Sequence, residues 1–320
     1  MDTLIEGLLA SVKLGAPVRQ GSLTLLPVFA ELPLGPDYLS LTEAVDSGVL
    51  AVTEVNEGGS VPELVAENAG TRPVLIVDGE ELAGAKQNRV LNTTVLIAAN
   101  TKVVIPVSCV EQGRWYHVSS RFGVSRHHSA HNVRARTYET VTGSLRATGF
   151  YRSDQGRVWQ EVAKISEEAD VQSPTFAMHD VYEERKADID EFSAGMPLLD
   201  GQNGLAVARD GRVIGIDVVS RPGVYGQLHD QLVRSYVFES WHEKRDCDIA
   251  ADEKAAKIFI AELGDAAASS HESPGAGISY RYTAPGVVGS ALVCDDALLH
   301  AAFFAIDGEF AGPRTATPGG

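Results

Sequence analysis

The sequence predicts an α+β protein, with a mixed, mostly antiparallel sheet core and a helical middle segment. Short runs rich in Val, Leu, Ile and Thr fill the first third of the chain and return near its C-terminal end. Between them the apolar residues switch to helical spacing. The gaps at Asn100 and at Asp210-Gly211 are short enough for hairpin turns, which favours antiparallel pairing.

In chain order, residues 22–30, 49–55, 73–77, 90–98 and 101–110 read as strands. Ser60-Val61-Pro62-Glu63 reads as a capping box opening a short helix to Asn68. Residues 156–169 read as a helix with Val158, Val162 and Ile165 on one face. Ser173-Pro174 starts a second helix, with Pro near its first position, running to about Phe192. Residues 161–191 hold ten acidic and three basic side chains, so the outer face of this segment is a solvated acidic surface. A hairpin over 205–220 and helices over 228–244 and 251–263 follow. Residues 264–277 form a Ser/Ala/Gly-rich loop, and strands at 278–283, 289–294 and 297–305 close the fold. With no internal repeat and no clean linker, the expectation is one α+β domain over residues 1–311. It carries a helical insert near 137–195, and residues 312–320 form a disordered tail.

The 43 acidic residues exceed the 27 basic ones by 16, a field that disfavours nucleic acid and anionic membrane as partners. The three cysteines, Cys109, Cys247 and Cys294, give no disulfide framework, which suits a reducing cytoplasm. The start of the chain has no signal-peptide pattern and no run is long enough to span a bilayer, so the expected location is cytoplasmic.

The densest polar stretch follows a strand at once: Asp78-Gly79-Glu80-Glu81-Leu82-Ala83-Gly84-Ala85-Lys86-Gln87-Asn88-Arg89. Polar groups massed at a strand end are a common address for function. Gly79, Gly84 and Lys86 mimic a phosphate-binding loop, but Ala85 and Gln87 break the required Gly-Lys-Ser/Thr succession. Further on, an extended 103–111 places Val107, Cys109 and Glu111 on one face. Cys109 is a candidate nucleophile, set against the commoner role of a small buried apolar residue. Glu80 and Glu111 are the candidate catalytic residues, as an acid/base pair or as ligands to a divalent cation.

Residues 114–136 contain five arginines and four histidines with no Asp, Glu or Lys. Arginine forks suit phosphate, so a small phosphorylated or nucleotide ligand is the expected partner. The competing reading is that this stretch neutralises the acidic helices after it. His127 and His131 have helical spacing, but without a metalloprotease glutamate they read as exposed loop histidines.

The runs Asp78-Gly79-Glu80-Glu81, Gly84-Ala85-Lys86-Gln87-Asn88-Arg89 and Pro106-Val107-Ser108-Cys109-Val110-Glu111-Gln112-Gly113-Arg114-Trp115 carry a resemblance. So do Arg134, Ser153-Asp154-Gln155-Gly156-Arg157-Val158-Trp159 and Ser173-Pro174-Thr175. Over roughly residues 20–305 the chain resembles the ARG and rhodanese-phosphatase-superfamily-associated protein domain family. The resemblance implies a link by association to ADP-ribose or NAD metabolism and brings no settled catalytic assignment. In that setting Glu80 or Glu111 would face an anomeric carbon, and Arg89, Arg114 and Arg134 would hold a diphosphate. Gln87 and Asn88 would fix ribose hydroxyls, and Trp115 or Trp159 would stack on a base. Two functions follow. One is an enzyme or processing factor acting on a nucleotide or ADP-ribose-like ligand. The other is a non-catalytic ligand- or protein-binding module whose polar stretches interlock to hold the fold. An open cleft holding Glu80, Arg89 and Glu111 favours the first; a closed mutual network favours the second.

Overall fold

The computed structural model describes residues 3–33, 35–240, 253–264 and 266–306. Among these are eight α-helices and eighteen strands, with every strand pair antiparallel except Leu39–Ser40 against Val74–Ile76. This is the expected α+β class with mostly antiparallel sheets. The expected tail at 312–320 and Cys247 lie outside the described residues.

The larger sheet has nine strands. Its order is Val12–Leu14, Leu23–Ala30, Gly204–Arg209, Arg212–Val219, Ala297–Ala305, Val287–Cys294, Ile278–Ala284 and Ala267–Glu272, with Val18–Gln20 also beside Leu23–Ala30. Period-two alternation sends its side chains into two cores. Leu26, Val28, Ala206 and Ala208 pack with Phe259 and Ile260 of the helix Glu253–Leu263. Leu23, Leu25, Leu205 and Val207 face the other way, into a core shared with Val224, Leu228 and Leu232 of the helix Pro222–Ser235. The 205–220 hairpin forms as expected. Asp210 (φ 50°) and Gly211 (φ 76°) both take the left-handed conformation that a two-residue turn of primed type demands.

The first third forms a closed barrel of Thr101–Cys109, Glu63–Asn68, Leu50–Glu54, Phe122–His128, Glu80–Gly84 and Arg89–Leu91. A three-stranded sheet of Val95–Ile97, Val74–Ile76 and Leu39–Ser40 packs into the same core. Helices between His131 and Ala194 cover the junction of barrel and sheet. In the helix Gln155–Glu168, Val158, Val162 and Ile165 are the buried residues, as their spacing predicts. Each such side chain contributes about 1.5–3 kcal/mol when fully buried. Among the described residues, no helix is long and apolar enough to cross a membrane.

Several local expectations are corrected. Glu63–Asn68 is a strand, not a capped helix, because Leu64, Ala66 and Asn68 alternate inward and strands flank it on both sides. Residues 90–98 split into Arg89–Leu91 and Val95–Ile97, which join different sheets. The turn at Asn100 therefore closes no hairpin: Val95–Ile97 pairs with Val74–Ile76, and Thr101–Cys109 pairs with Glu63–Asn68. Ser173-Pro174 does not open a helix, since Phe176 takes φ 53° and the helix starts at Met178. It then breaks at Arg185, and a further helix covers Lys186–Ala194. Ala267–Glu272 is an edge strand rather than part of a loop; its small, largely exposed residues are what a solvated sheet edge tolerates. Of the helix expected over 228–244, the described part lies in the helix Pro222–Ser235 and a 3₁₀ turn at Val237–Ser240, and residues 241–244 lie outside the described residues. Residues 114–136 are not all loop, for they contain the strand Phe122–His128 and the start of the helix His131–Thr148, and His127 and His131 are buried.

Candidate functional site

The ladder registers of the barrel decide which side chains look inward. Val52 opposes Ala66 and Phe122, Leu82 opposes Val124 and Arg89, and Arg89 opposes Cys109. Val107 opposes Leu91, and Leu64 opposes both Ile105 and Glu54. Directly opposed residues share a face, and this face carries the apolar core of Val52, Leu64, Leu82, Ile105 and Val107. Glu54, Arg89 and Cys109 therefore lie on the inner face, together at one end of an otherwise apolar barrel.

A side chain completes the wall at that end. The ladder of Thr101–Cys109 with Glu63–Asn68 ends at Pro106, the Val107 amide still donates to the Pro62 carbonyl at 3.0 Å, and beyond that a side chain takes over. The Cys109 amide donates to Gln155 Oε1 (2.8 Å), and Gln155 Nε2 donates to the Cys109 carbonyl (2.7 Å). Arg89 is wholly buried, and only its Nη1 has a partner, the Asn88 carbonyl at 3.3 Å. Its Nε and Nη2, Glu54 Oε2 and Gln87 Oε1 are buried with no hydrogen-bond partner. Such orphans are rare, and each needs an explanation. Trp115 covers this end: Lys86 Nζ lies 5.2 Å and the Arg89 guanidinium 5.8 Å from its ring centre. Trp115, Tyr116 and Val118 are all exposed on the covering loop. Burial pushes the Cys109 thiol up, against the opposing pull of Arg89.

Glu111 belongs to a separate group. Arg114 holds both its oxygens, Nε to Oε1 at 2.7 Å and Nη2 to Oε2 at 2.5 Å. The Asn88 amide and the Thr175 hydroxyl complete the set at 2.9 and 3.0 Å. Arg114 also donates to the Ala85 carbonyl and to Asn88 Oδ1, and Gln87 Nε2 donates to the Glu111 carbonyl. Burial opposes the charge of Glu111, but the Arg114 hydrogen bonds hold its carboxyl below the ordinary range. The pair is a saturated clamp between the loop after Glu80–Gly84 and the loop after Thr101–Cys109.

Arg134 belongs to a third assembly at the junction with the large sheet. Its Nε and Nη2 reach Asp78 Oδ2 at 3.1 and 3.0 Å, and its Nη1 and Nη2 reach Asp217 at 3.1 and 2.7 Å. Thr94 Oγ1 donates to Asp78 Oδ1 (2.9 Å) and lies 2.8 Å from His300 Nδ1. All of these residues are buried. Gly79 (φ 83°) has to be glycine, since a Cβ there would stand 2.4 Å from His128 Cε1 and 2.8 Å from Arg134 Cδ.

Beside it, burial pushes Glu80 up to about 8. Its Oε2 accepts from the Val77 amide at 2.7 Å, and its Oε1 has no partner. A carboxyl raised in the folded state adds stability fully present below its unfolded value near 4.5 and lost as pH rises through about 8. We predict that Glu80→Gln widens its stability advantage over wild type from pH 5 to pH 8.5, by roughly 1.4 kcal/mol per pH unit until the acid ionises. Urea midpoints at the two pH values measure this; a constant difference contradicts a neutral Glu80.

Sequence reasoning missed Glu54, which came from an unremarkable strand, and Glu81, His179 and Glu183. His127 is buried on the strand Phe122–His128, with Nε2 3.0 Å from Glu183 Oε1. His131 turns away to Glu239 and the Ile214 carbonyl, so the spacing of His127 and His131 brings nothing together. Among the described residues, His127, His179 and Glu183 are the group whose geometry can hold a metal ion. A cleft of about 280 Å³ lies against His131, Arg136, Lys164 and Arg209, and one of about 340 Å³ against Phe150, Tyr151 and Glu272. Neither is lined by Glu80, Arg89 or Glu111.

No curated protein and no solved structure matches the chain. One family model does, from residue 11 to residue 304, spanning the barrel, the helices and the large sheet. On that match the chain belongs to the ARG and Rhodanese-Phosphatase-superfamily-associated Protein domain family.

Proposed function

We propose that this chain is a ligand-binding protein that takes a phosphorylated sugar or nucleotide at the end of its barrel beneath Trp115, with Arg89 as the anion-binding group. The observation that carries the reading is the Arg89 guanidinium, buried with Nε and Nη2 unpartnered. A buried cation with two of its three nitrogens unpartnered is costly unless something completes it. A phosphate presents the two parallel acceptors that suit such a fork. Glu54 Oε2 and Gln87 Oε1, also unpartnered, are acceptors suited to sugar hydroxyls. The exposed Trp115 ring offers a stacking face for a base. The family's name records an association and adds no residue to this reading. Binding rather than turnover is the better reading because Glu111 is saturated by Arg114.

Thermal shift and calorimetry with ADP-ribose, NAD, AMP, ribose 5-phosphate and inorganic phosphate test it. At ~100 times its dissociation constant a true ligand stabilises the fold by about 2.7 kcal/mol. Trp115→Ala and Lys86→Met, which leave the barrel core intact, should weaken nucleotide binding, the tryptophan change by about 1–3 kcal/mol. If no compound shifts the wild type, or if the shift is undiminished in both variants and in Arg89→Gln, the reading is wrong.

A further inference from the structure

The outer face of the strand Glu80–Gly84 meets a different set of groups. We propose that His127, His179 and Glu183 bind a transition metal ion of the zinc(II) type, with Glu81 as the carboxylate that orients His179.

The helix Met178–Glu184 presents His179 and Glu183 four residues apart, hence on one side, and the strand Phe122–His128 brings His127 against them. One ligand atom from each of the three residues lies within 4.8 Å of the others. The rings are fixed by packing. His127 stacks on Tyr182 at 4.6 Å and meets His179 edge-on at 4.9 Å, while the Tyr182 hydroxyl donates to the His128 carbonyl at 2.7 Å. A ligand set held this way needs little reorganisation on binding.

Two further observations point to an ion. The first is Glu81, wholly buried, whose Oε2 lies 3.3 Å from His179 Nδ1. A carboxylate only accepts, so Nδ1 carries the proton and Nε2 is left with its lone pair free for a ligand. A carboxylate behind the far nitrogen is the usual support of a metal-bound histidine, fixing both tautomer and ring direction. The second is His127, buried, with Nε2 3.0 Å from Glu183 Oε1. Two donor atoms about 3 Å apart match neighbouring corners around an ion with bonds of about 2.0–2.1 Å.

The donor set selects the ion. Two imidazoles and one carboxylate suit zinc(II), cobalt(II) or iron(II), whereas calcium and magnesium prefer all-oxygen cages. Three protein ligands leave a coordination position for water or a ligand, as in open rather than structural sites. Asn88 joins this site to the rest of the molecule: its Nδ2 lies 3.5 Å from Glu81 Oε1, and its Oδ1 accepts from Arg114.

Equilibrium dialysis of the tag-free chain against zinc(II) or cobalt(II), with magnesium and calcium in parallel, tests the site. The expected result is one equivalent of zinc or cobalt retained, no retention of the other two ions, and visible cobalt bands of a four-coordinate site. Glu183→Gln should weaken retention at least tenfold; its side chain is half exposed, so the fold tolerates the change. Glu81→Gln, which touches no metal, should weaken it by about 10–100-fold. Failure to retain zinc or cobalt at micromolar concentrations would overturn the proposal. Retention undiminished in both Glu183→Gln and His179→Ala would overturn it equally, and would move the ion to other donors such as the cysteines.

Discussion

Arg134→Met is expected to destabilise the protein by about 3–5 kcal/mol, the cost of breaking a buried ion pair by removing one partner. That is a large fraction of the 5–15 kcal/mol by which a domain is usually stable. The arginine neutralises two carboxylates at once, and both Asp78 and Asp217 are buried beside it. Burial by itself would raise both carboxyls, yet Arg134 holds each well below the ordinary range. Methionine fills the space and leaves two like charges facing each other in a dry interior. The contribution has a definite pH sign. It is present above the unfolded carboxyl value of 3.8 and is lost as pH falls through the lower folded values. Urea unfolding at pH 7 and pH 3 measures both parts. A methionine variant within about 0.5 kcal/mol of wild type at pH 7 would show that the assembly is worth no more than a surface contact.

Glu111→Gln is expected to lower stability at neutral pH by about 3 kcal/mol, again as a broken buried pair. Glutamine retains the shape but not the charge, so Arg114 is left buried with only neutral acceptors. Removing the partner as well, in Glu111→Gln with Arg114→Leu, should cost less than the sum of the single changes. The difference, read in a double-mutant cycle, is the coupling between them. The outcome bears directly on function. A Glu111→Gln protein that melts like the wild type would release this carboxylate from its clamp and restore it as a candidate for chemistry.

Residues 78–115 were marked by the sequence as the polar centre of the protein, and that is where the clamp and the barrel end lie. Strand runs such as Leu23–Ala30 and Ala297–Ala305, and the helix Gln155–Glu168, were legible because composition and periodicity agree there with tertiary packing. Glu63–Asn68 misled because the capping pattern at residues 60–63 runs straight into a two-residue alternation, and the ladders on both sides of the strand settle the competition. The pairings inside the site were not legible for a different reason. Glu111 meets Arg114 three residues away, but Arg134 meets Asp217 across 83 residues of sequence, and His179 meets Glu81 across 98. Nothing in residue spacing encodes a partner at that range. Glu54 stayed hidden because a lone carboxylate at the end of a strand looks like any solvated strand end until the register turns it inward.

The order of strands in the large sheet sets a timetable for synthesis. The barrel draws its strands from one continuous stretch, Leu50 to His128, and its ladders are available as soon as that stretch has left the ribosome. The sheet is different: Leu23–Ala30, among the first strands made, pairs with Gly204–Arg209, and the central position beyond Arg212–Val219 belongs to Ala297–Ala305. Bringing such distant segments together carries a closure cost that local pairings do not. The early strand, with Leu26 and Val28 on one side and Leu23 and Leu25 on the other, must therefore wait with its apolar faces uncovered until most of the chain exists. Until then its apolar faces stay open to association, whereas the barrel strands can pair within their own stretch.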